Sequence, residues 1–144
     1  METISKEFNY HSKTPLSISL NNPAQFGVKK IIEYKITINV IEELYDYYLW
    51  TNVGGMGCPF CCCISPFLKF KNYRLGELIC YYQPSNNIDD NLVVWSGMQY
   101  IQKDYIIEIP SGVNELKFYW NDIFFNNNSG KIIITLEKIE TKQL

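Results

Sequence analysis

The chain has 144 residues, with 13 Lys and Arg against 15 Asp and Glu and a formal net charge of −2. This length suits one domain that buries about two-thirds of its unfolded surface without disulfides or a structural metal. The acidic balance argues against a nucleic-acid-binding protein, which normally carries a basic face. No apolar run is long enough to cross a bilayer, and no secretory signal is visible. We therefore expect a protein that is cytoplasmic or released without a signal peptide.

Alternation of apolar and polar residues, the period of a half-buried strand, dominates the chain. It is clearest from Ile32 to Val40, and it recurs in shorter runs at 68–71, 78–82, 105–109, 116–120 and 132–136. Clusters of Asn, Pro, Ser and Gly between these runs are turn signals. Roughly seven to nine short strands in this arrangement predict an all-β fold, an antiparallel β-sandwich or jelly roll.

The segment 41–49 fits two structures. Its apolar residues fall at helical spacing, with acidic residues on the other side. The aromatic pair Tyr47-Tyr48 and the β-branched residues just upstream favour a strand instead. A short helix and an extended strand with a bulge both remain open at this point.

Domain organisation follows from the absence of repeats and low-complexity linkers. We predict an N-terminal arm or first strand over 1–24, a single β-sandwich domain over 25–140, and a short C-terminal tail over 141–144.

Residues that could carry enzymatic chemistry are scarce. The only histidine, His11, lies in a polar N-terminal stretch with no nucleophile motif near it. The pair Gly54-Gly55 lacks the further glycines and the lysine of a phosphate-binding loop. We therefore predict a protein that is not an enzyme.

Four of the five cysteines lie within six residues, and the fifth is Cys80. An odd number without a signal sequence suggests reduced thiols. Buried or half-buried thiols in a loop are one interpretation, and four thiolates around zinc are another. Disulfide, redox or lipidation chemistry is the third. The clustered residues are Cys58, Cys61, Cys62 and Cys63.

The loop that precedes the last strand is rich in side-chain oxygens. Asp122 supplies a carboxylate, and Asn127 and Asn128 supply amide oxygens. Calcium takes six to eight oxygen ligands of these kinds. An asparagine-rich turn explains the same composition, because Asn tolerates the backbone conformations that turns require.

This loop carries a family resemblance. The segment Leu116–Asp122 (LKFYWND) followed by Asn127–Leu136 (NNSGKIIITL) resembles the C-terminal calcium loop of soluble galactophilic bacterial lectins of the LecA type. Weaker similarity occurs at 75–79 and at 36–38 with Trp50. The resemblance implies a galactose-binding-domain-like sandwich in which Asp122, Asn127 and Asn128 bind calcium and, with it, sugar hydroxyls.

Two departures limit what the resemblance implies. The loop between Asp122 and Asn127 is about two residues shorter than in that family. The family's sugar-holding His-Pro-x-Gln segment is replaced by 56–63, which has neither His nor Gln. Galactose specificity is therefore not implied, although the three candidate ligands and a backbone carbonyl from 50–54 are.

Exposed aromatic rings with nearby amides and carboxylates are the physical signature of a sugar site. For ligand binding we select Asp122, Asn127, Trp50 and Phe124, whereas Trp120 lies on the apolar face of its strand and suits the core. Phe124 and Phe125 would either fold back on the core or stand out as contact residues. We predict a carbohydrate-binding, lectin-like domain with Ca²⁺ as cofactor and a glycan as partner. The alternative is a protein-interaction or structural subunit, such as a homo-oligomer, that has lost sugar binding.

Overall fold

The structure, a computed structural model, describes residues 2–22, 29–55, 67–84, 90–102 and 105–143. Strands connected by turns make up most of it, together with a helix, α1 (Gly97–Gln102), and a 3-10 turn over Phe125–Asn127. The strands are β1 (Thr3–Asn9), β2 (Leu16–Ser19), β3 (Lys30–Asp46), β4 (Leu49–Thr51), β5 (Leu78–Tyr82), β6 (Leu92–Ser96), β7 (Tyr105–Pro110), β8 (Glu115–Trp120) and β9 (Asn128–Gln143).

These strands form two antiparallel sheets, so the predicted all-β sandwich is confirmed. The first sheet runs β1-β9-β3, and both β4 and β7 pair with the remaining edge of β3. The second sheet has the order β2-β8-β5-β6. Strands β1 and β2 both come from the segment 1–24, and β9 extends to residue 143. Among the described residues, no helix is both long and apolar enough to span a membrane.

The long strand β3 shows how the alternating pattern becomes structure. Ile32, Tyr34, Ile36 and Ile38 point inward and are buried. Beyond Val40 the pairing with β9 is interrupted by two register shifts. The open question about 41–49 is therefore answered: β3 continues to Asp46 as a bulged strand, and the helical spacing there reflects the bulges.

Gly130 makes the bulged region possible. Its φ is +104°, and a Cβ at this position would lie 2.2 Å from the carbonyl oxygen of Glu43. Only glycine allows the two backbones to approach this closely. The Ser129–Gly130 pair therefore sets the path of β9 beside the end of β3.

The core lies between the sheets and is rich in aromatic rings. Trp120 is fully buried, as predicted, and contacts the rings of Phe8 and Tyr10 at centroid distances of 5.5 and 4.7 Å. Its indole N–H donates to the carbonyl oxygen of Asn9 at 2.9 Å. This tryptophan fixes the end of β8 against the first sheet, and the candidate loop begins immediately after it.

The predicted strand at 68–71 is wrong. The backbone N–H of Phe70 donates to Oδ1 of Asn121, and its carbonyl accepts from Nδ2 of the same side chain, at 3.2 and 2.9 Å. Leu68 and Phe70 are buried, as the alternation predicts, but this segment lacks the backbone hydrogen bonds of a strand. The Asn121 side chain, 51 positions from Phe70, supplies hydrogen bonds in their place.

Candidate functional site

The candidate site lies at one end of the sandwich, where the loop 121–127 leaves β8 and enters β9. Its other wall is the hairpin that joins β3 to β4. The two are joined by a hydrogen bond of 2.7 Å from the backbone N–H of Tyr47 to the carbonyl oxygen of Asn127. Asp46, the last residue of β3, is paired directly with Asn128, the first residue of β9.

Asp122 is the buried carboxylate of the site, 5% exposed. Its Oδ1 accepts hydrogen bonds from the backbone N–H groups of Ile123 and Phe124, at 2.6 and 3.2 Å. Its Oδ2 accepts from the side-chain amide of Asn128 at 2.6 Å. Its position is therefore fixed by its own loop and by the first residue of β9.

Asn128 is buried to the same degree and has one unsatisfied atom. Its Nδ2 donates to Asp122 and, at 3.3 Å, to the carbonyl oxygen of Tyr10. Its Oδ1 is buried and has no hydrogen-bond partner among the described residues. A buried polar atom without a partner is costly and rare, so this oxygen is a candidate ligand atom; the Tyr10 hydroxyl and the Trp95 indole N–H are also buried without a partner among the described residues.

Asp46 is a site residue that sequence reasoning missed. Burial and the negative charge of Asp122 raise the pKa of its carboxyl group from 3.8 to about 6. Burial, Asp122 and Asp46 likewise raise the pKa of the Tyr10 hydroxyl. Neither Asp46 nor Asp122 forms an ion pair with a described Lys, Arg or His side chain. The sequence gives little indication that Asp46 belongs to the site, because its position depends on the register of a bulged strand.

The predicted ligand Asn127 is placed differently from its neighbours. Its side chain is exposed, and the hydrogen bond that joins it to the β3–β4 hairpin uses its backbone carbonyl. The structure therefore brings Asp122 and Asn128 together through their side chains, whereas Asn127 contributes its backbone to the wall of the site.

The two aromatic candidates are both exposed. Trp50 is 62% exposed and borders a cleft of about 310 Å³ that also includes Glu43 and Asn52. Phe124 is 63% exposed and borders a second cleft, of about 360 Å³, beside Lys13. Phe125 instead folds back onto the core and contacts the ring of Tyr119 at 5.9 Å.

The clustered cysteines Cys58, Cys61, Cys62 and Cys63 lie outside the described residues. Cys80 is a buried free thiol on β5, and burial raises its pKa. The described residues contain no group of three or more His, Cys, Asp or Glu side chains placed to hold a metal. A metal bound at the candidate site would therefore need amide and backbone oxygens in addition to its two carboxylates.

Such oxygens are present. The carboxylates of Asp122 and Asp46, the Oδ1 of Asn128 and the Tyr10 carbonyl are the kinds of ligand that a hard cation prefers. A half-turn of the Asn128 amide would exchange its Nδ2 and Oδ1 and direct the unsatisfied oxygen toward Asp122. The donor set therefore fits Ca²⁺ in chemistry.

Comparisons of the chain with protein-family models, curated proteins and solved structures found no match.

Proposed function

We propose that this protein is a non-enzymatic carbohydrate-recognition domain that binds its saccharide ligand through Ca²⁺ at Asp122, Asn128 and Asp46. The single observation that carries the proposal is the buried, unsatisfied Oδ1 of Asn128, which lies on a side chain bonded to a buried carboxylate. Asn127 remains a predicted ligand by resemblance. A jelly-roll topology related to that of galactose-binding domains is part of the same proposal.

In this proposal the acidic side chains hold the cation and the exposed aromatic rings contact the sugar. The backbone N–H groups of Ile123 and Phe124 hold Asp122, so its carboxylate is in place before any ligand arrives. Asp46 adds the second negative charge, which offsets the charge of a divalent cation. Bound Ca²⁺ would supply positive charge and open coordination positions for sugar hydroxyls. The exposed rings of Trp50 and Phe124 offer apolar faces for the C–H face of a sugar.

Thermal unfolding with and without Ca²⁺ tests the metal site. A ligand present at about one hundred times its Kd stabilises the folded state by about 2.7 kcal/mol, which raises Tm by roughly 5–10 °C for a domain of this size. We expect this increase in the wild type and its loss in Asp122→Asn. The matched control is Asp90→Asn, the same chemical change at an exposed position next to β6.

The result that contradicts the metal site is an unchanged Tm of the wild type in excess Ca²⁺. An increase of equal size with Mg²⁺ and Ca²⁺ would show a general ionic effect. A glycan array probed in Ca²⁺ and again in chelator then tests the second half of the proposal, because calcium-dependent recognition predicts spots that disappear with chelator.

A protein-interaction role is the second candidate, and Phe124 favours it. This large apolar side chain is exposed beside the partly buried Ile123 and the cationic Lys13. Exposed apolar surface of this kind is typical of protein interfaces. The candidate predicts a homo-oligomer or a complex with another protein, and light scattering distinguishes it from a monomeric lectin.

A further inference from the structure

The turn between β3 and β4 places a tyrosine where glycine is usually found. Tyr47 has a φ of +61°, and in the described part of the chain no other residue except glycine has a positive φ. Two-residue hairpin turns that have a positive φ at their first position usually carry Gly there, because a Cβ crowds the backbone. Folding alone favours glycine at this position, so the tyrosine side chain points to a functional role.

The side chains of the turn are largely in water. Tyr47 is 65% exposed and Tyr48 80% exposed, with their ring centroids 4.0 Å apart. Leu49 and Trp50, which follow, are also more than half exposed. We call residues 47–50 the hairpin-tip surface. Core burial does not explain four successive exposed apolar or aromatic residues, which are typical of a binding surface.

This surface is fixed next to the candidate calcium site. The N–H of Tyr47 is bonded to the carbonyl of Asn127, and Asp46 precedes it directly in the chain. A ligand held at the carboxylates would therefore lie beside the backbone of Tyr47, whose side chain is exposed.

Charge decides what kind of ligand suits the surface. Residues 47–50 carry no charged side chain, and a Ca²⁺ held by the Asp46 and Asp122 side chains would offset their formal charge. Glu43 adds a further acidic side chain at the cleft that Trp50 borders. A calcium-loaded site with a further acidic side chain at its edge suits a neutral polyol better than an anionic lipid headgroup or a polyanion. A sugar ring combines hydroxyls for the cation with a C–H face that packs on the electron-rich face of a tyrosine.

We propose that Tyr47, supported by Tyr48, forms the stacking platform of a subsite for a neutral saccharide. The inference rests on the proposed calcium-dependent function and adds to it the ring that sets the orientation of the sugar. The ring is held at the tip of the hairpin at the expense of an unfavourable backbone conformation.

The test compares three variants on an array of neutral mono- and disaccharides. Tyr47→Gly removes the ring and also relieves the backbone, Tyr47→Phe keeps the ring without its hydroxyl, and Ile139→Ala removes an exposed apolar side chain near the other end of β9. We expect Tyr47→Gly to keep an equal or higher Tm and the full calcium-induced shift, while its affinity for the wild type's saccharides falls about tenfold. Ile139→Ala should bind like the wild type, and Tyr47→Phe, which keeps the stacking ring, should bind more tightly than Tyr47→Gly.

Each outcome has a distinct meaning. Wild-type affinity in Tyr47→Gly, with the calcium shift intact, overturns the platform alone. Saccharide binding that persists in chelator but requires Tyr47 overturns the calcium requirement and keeps the platform. If the wild type binds no saccharide, or binds only to vesicles of phosphatidylcholine and phosphatidylserine, both the platform and the carbohydrate function are wrong.

Discussion

The side-chain amide of Asn128 donates a 2.6 Å hydrogen bond to Oδ2 of Asp122. Asp122 follows the last residues of a strand in the second sheet, and Asn128 begins a strand in the first. This buried contact therefore links the two sheets at one end of the sandwich. It connects the stability of the cation-free protein to the same two side chains that we propose as calcium ligands.

Replacing Asn128 should therefore be costly even without calcium. In Asn128→Ala the Asp122 carboxylate and the Tyr10 carbonyl each lose a hydrogen-bond donor in a buried environment. We expect the free energy of unfolding to fall by about 2–3 kcal/mol in urea titrations with chelator present. Asn126→Ala, an exposed position in the same loop, is the control and should change it by less than about 0.5 kcal/mol. Equal unfolding midpoints for the two variants would contradict the role of the contact.

The pKa of Asp46 predicts how stability depends on pH. Because burial and Asp122 raise this pKa to about 6, the folded state binds the proton more tightly than the unfolded state does. Proton binding by Asp46 contributes fully to the stability of the folded state below pH 3.8, and this contribution is lost as the pH rises through 6. In chelator, the difference in Tm between wild type and Asp46→Asn should therefore change between pH 4 and pH 7. The Tm of Asp46→Asn should rise relative to that of the wild type as the pH rises. A Tm difference that does not change with pH would contradict the prediction.

Adjacent phenylalanines in the loop should respond in opposite ways. Phe125 is 6% exposed and packs on Tyr119, so Phe125→Ala should cost about 3–4 kcal/mol of unfolding free energy. Phe124 is exposed, so Phe124→Asp should leave stability nearly unchanged. Size-exclusion chromatography with light scattering measures whether Phe124→Asp also lowers the molar mass. A lower mass supports the protein-interaction candidate, and a monomer in both samples counts against it.

The alternating pattern was sufficient to predict the sandwich because most strands have one face in the core and one in water. It failed at 68–71, where Leu68 and Phe70 are buried in alternation without belonging to a sheet. The hydrogen bonds that replace a ladder there come from Asn121. A contact across that separation in sequence leaves no local signal, so periodicity alone could not distinguish the loop from a strand.

The candidate site was predictable only where its residues are close in sequence. Asp122 and Asn128 belong to one short loop, and the structure joins their side chains. Asp46 lies opposite Asn128 because of the register between β3 and β9, which shifts twice just before it. Neither composition nor spacing determines such shifts, so the second carboxylate could be found only from the structure.

Asn121 and Asp122 are neighbours in sequence and should separate folding from ligand binding. The Asn121 side chain is fully buried, and its Oδ1 accepts a hydrogen bond from the N–H of Phe70. Its Nδ2 donates to three backbone carbonyl oxygens, those of Phe70, Tyr73 and Arg74, at 2.9, 3.3 and 3.1 Å. Asn121→Ala leaves those groups without this partner and should lower the free energy of unfolding by about 3–5 kcal/mol.

The calcium-induced increase in Tm should depend on Asp122 and not on Asn121. The side-chain oxygen of Asn121 accepts from the N–H of Phe70 in the core, so Asn121 is not among the proposed calcium ligands. Asn121→Ala should therefore unfold at a lower temperature but keep the calcium-induced increase in Tm, whereas Asp122→Asn should lose that increase. Thermal unfolding of both variants is measured with and without Ca²⁺, and each scan starts at a temperature at which Asn121→Ala is folded. Loss of the increase in both would mean that calcium acts on the fold in general, because only one of the two side chains is placed to bind it.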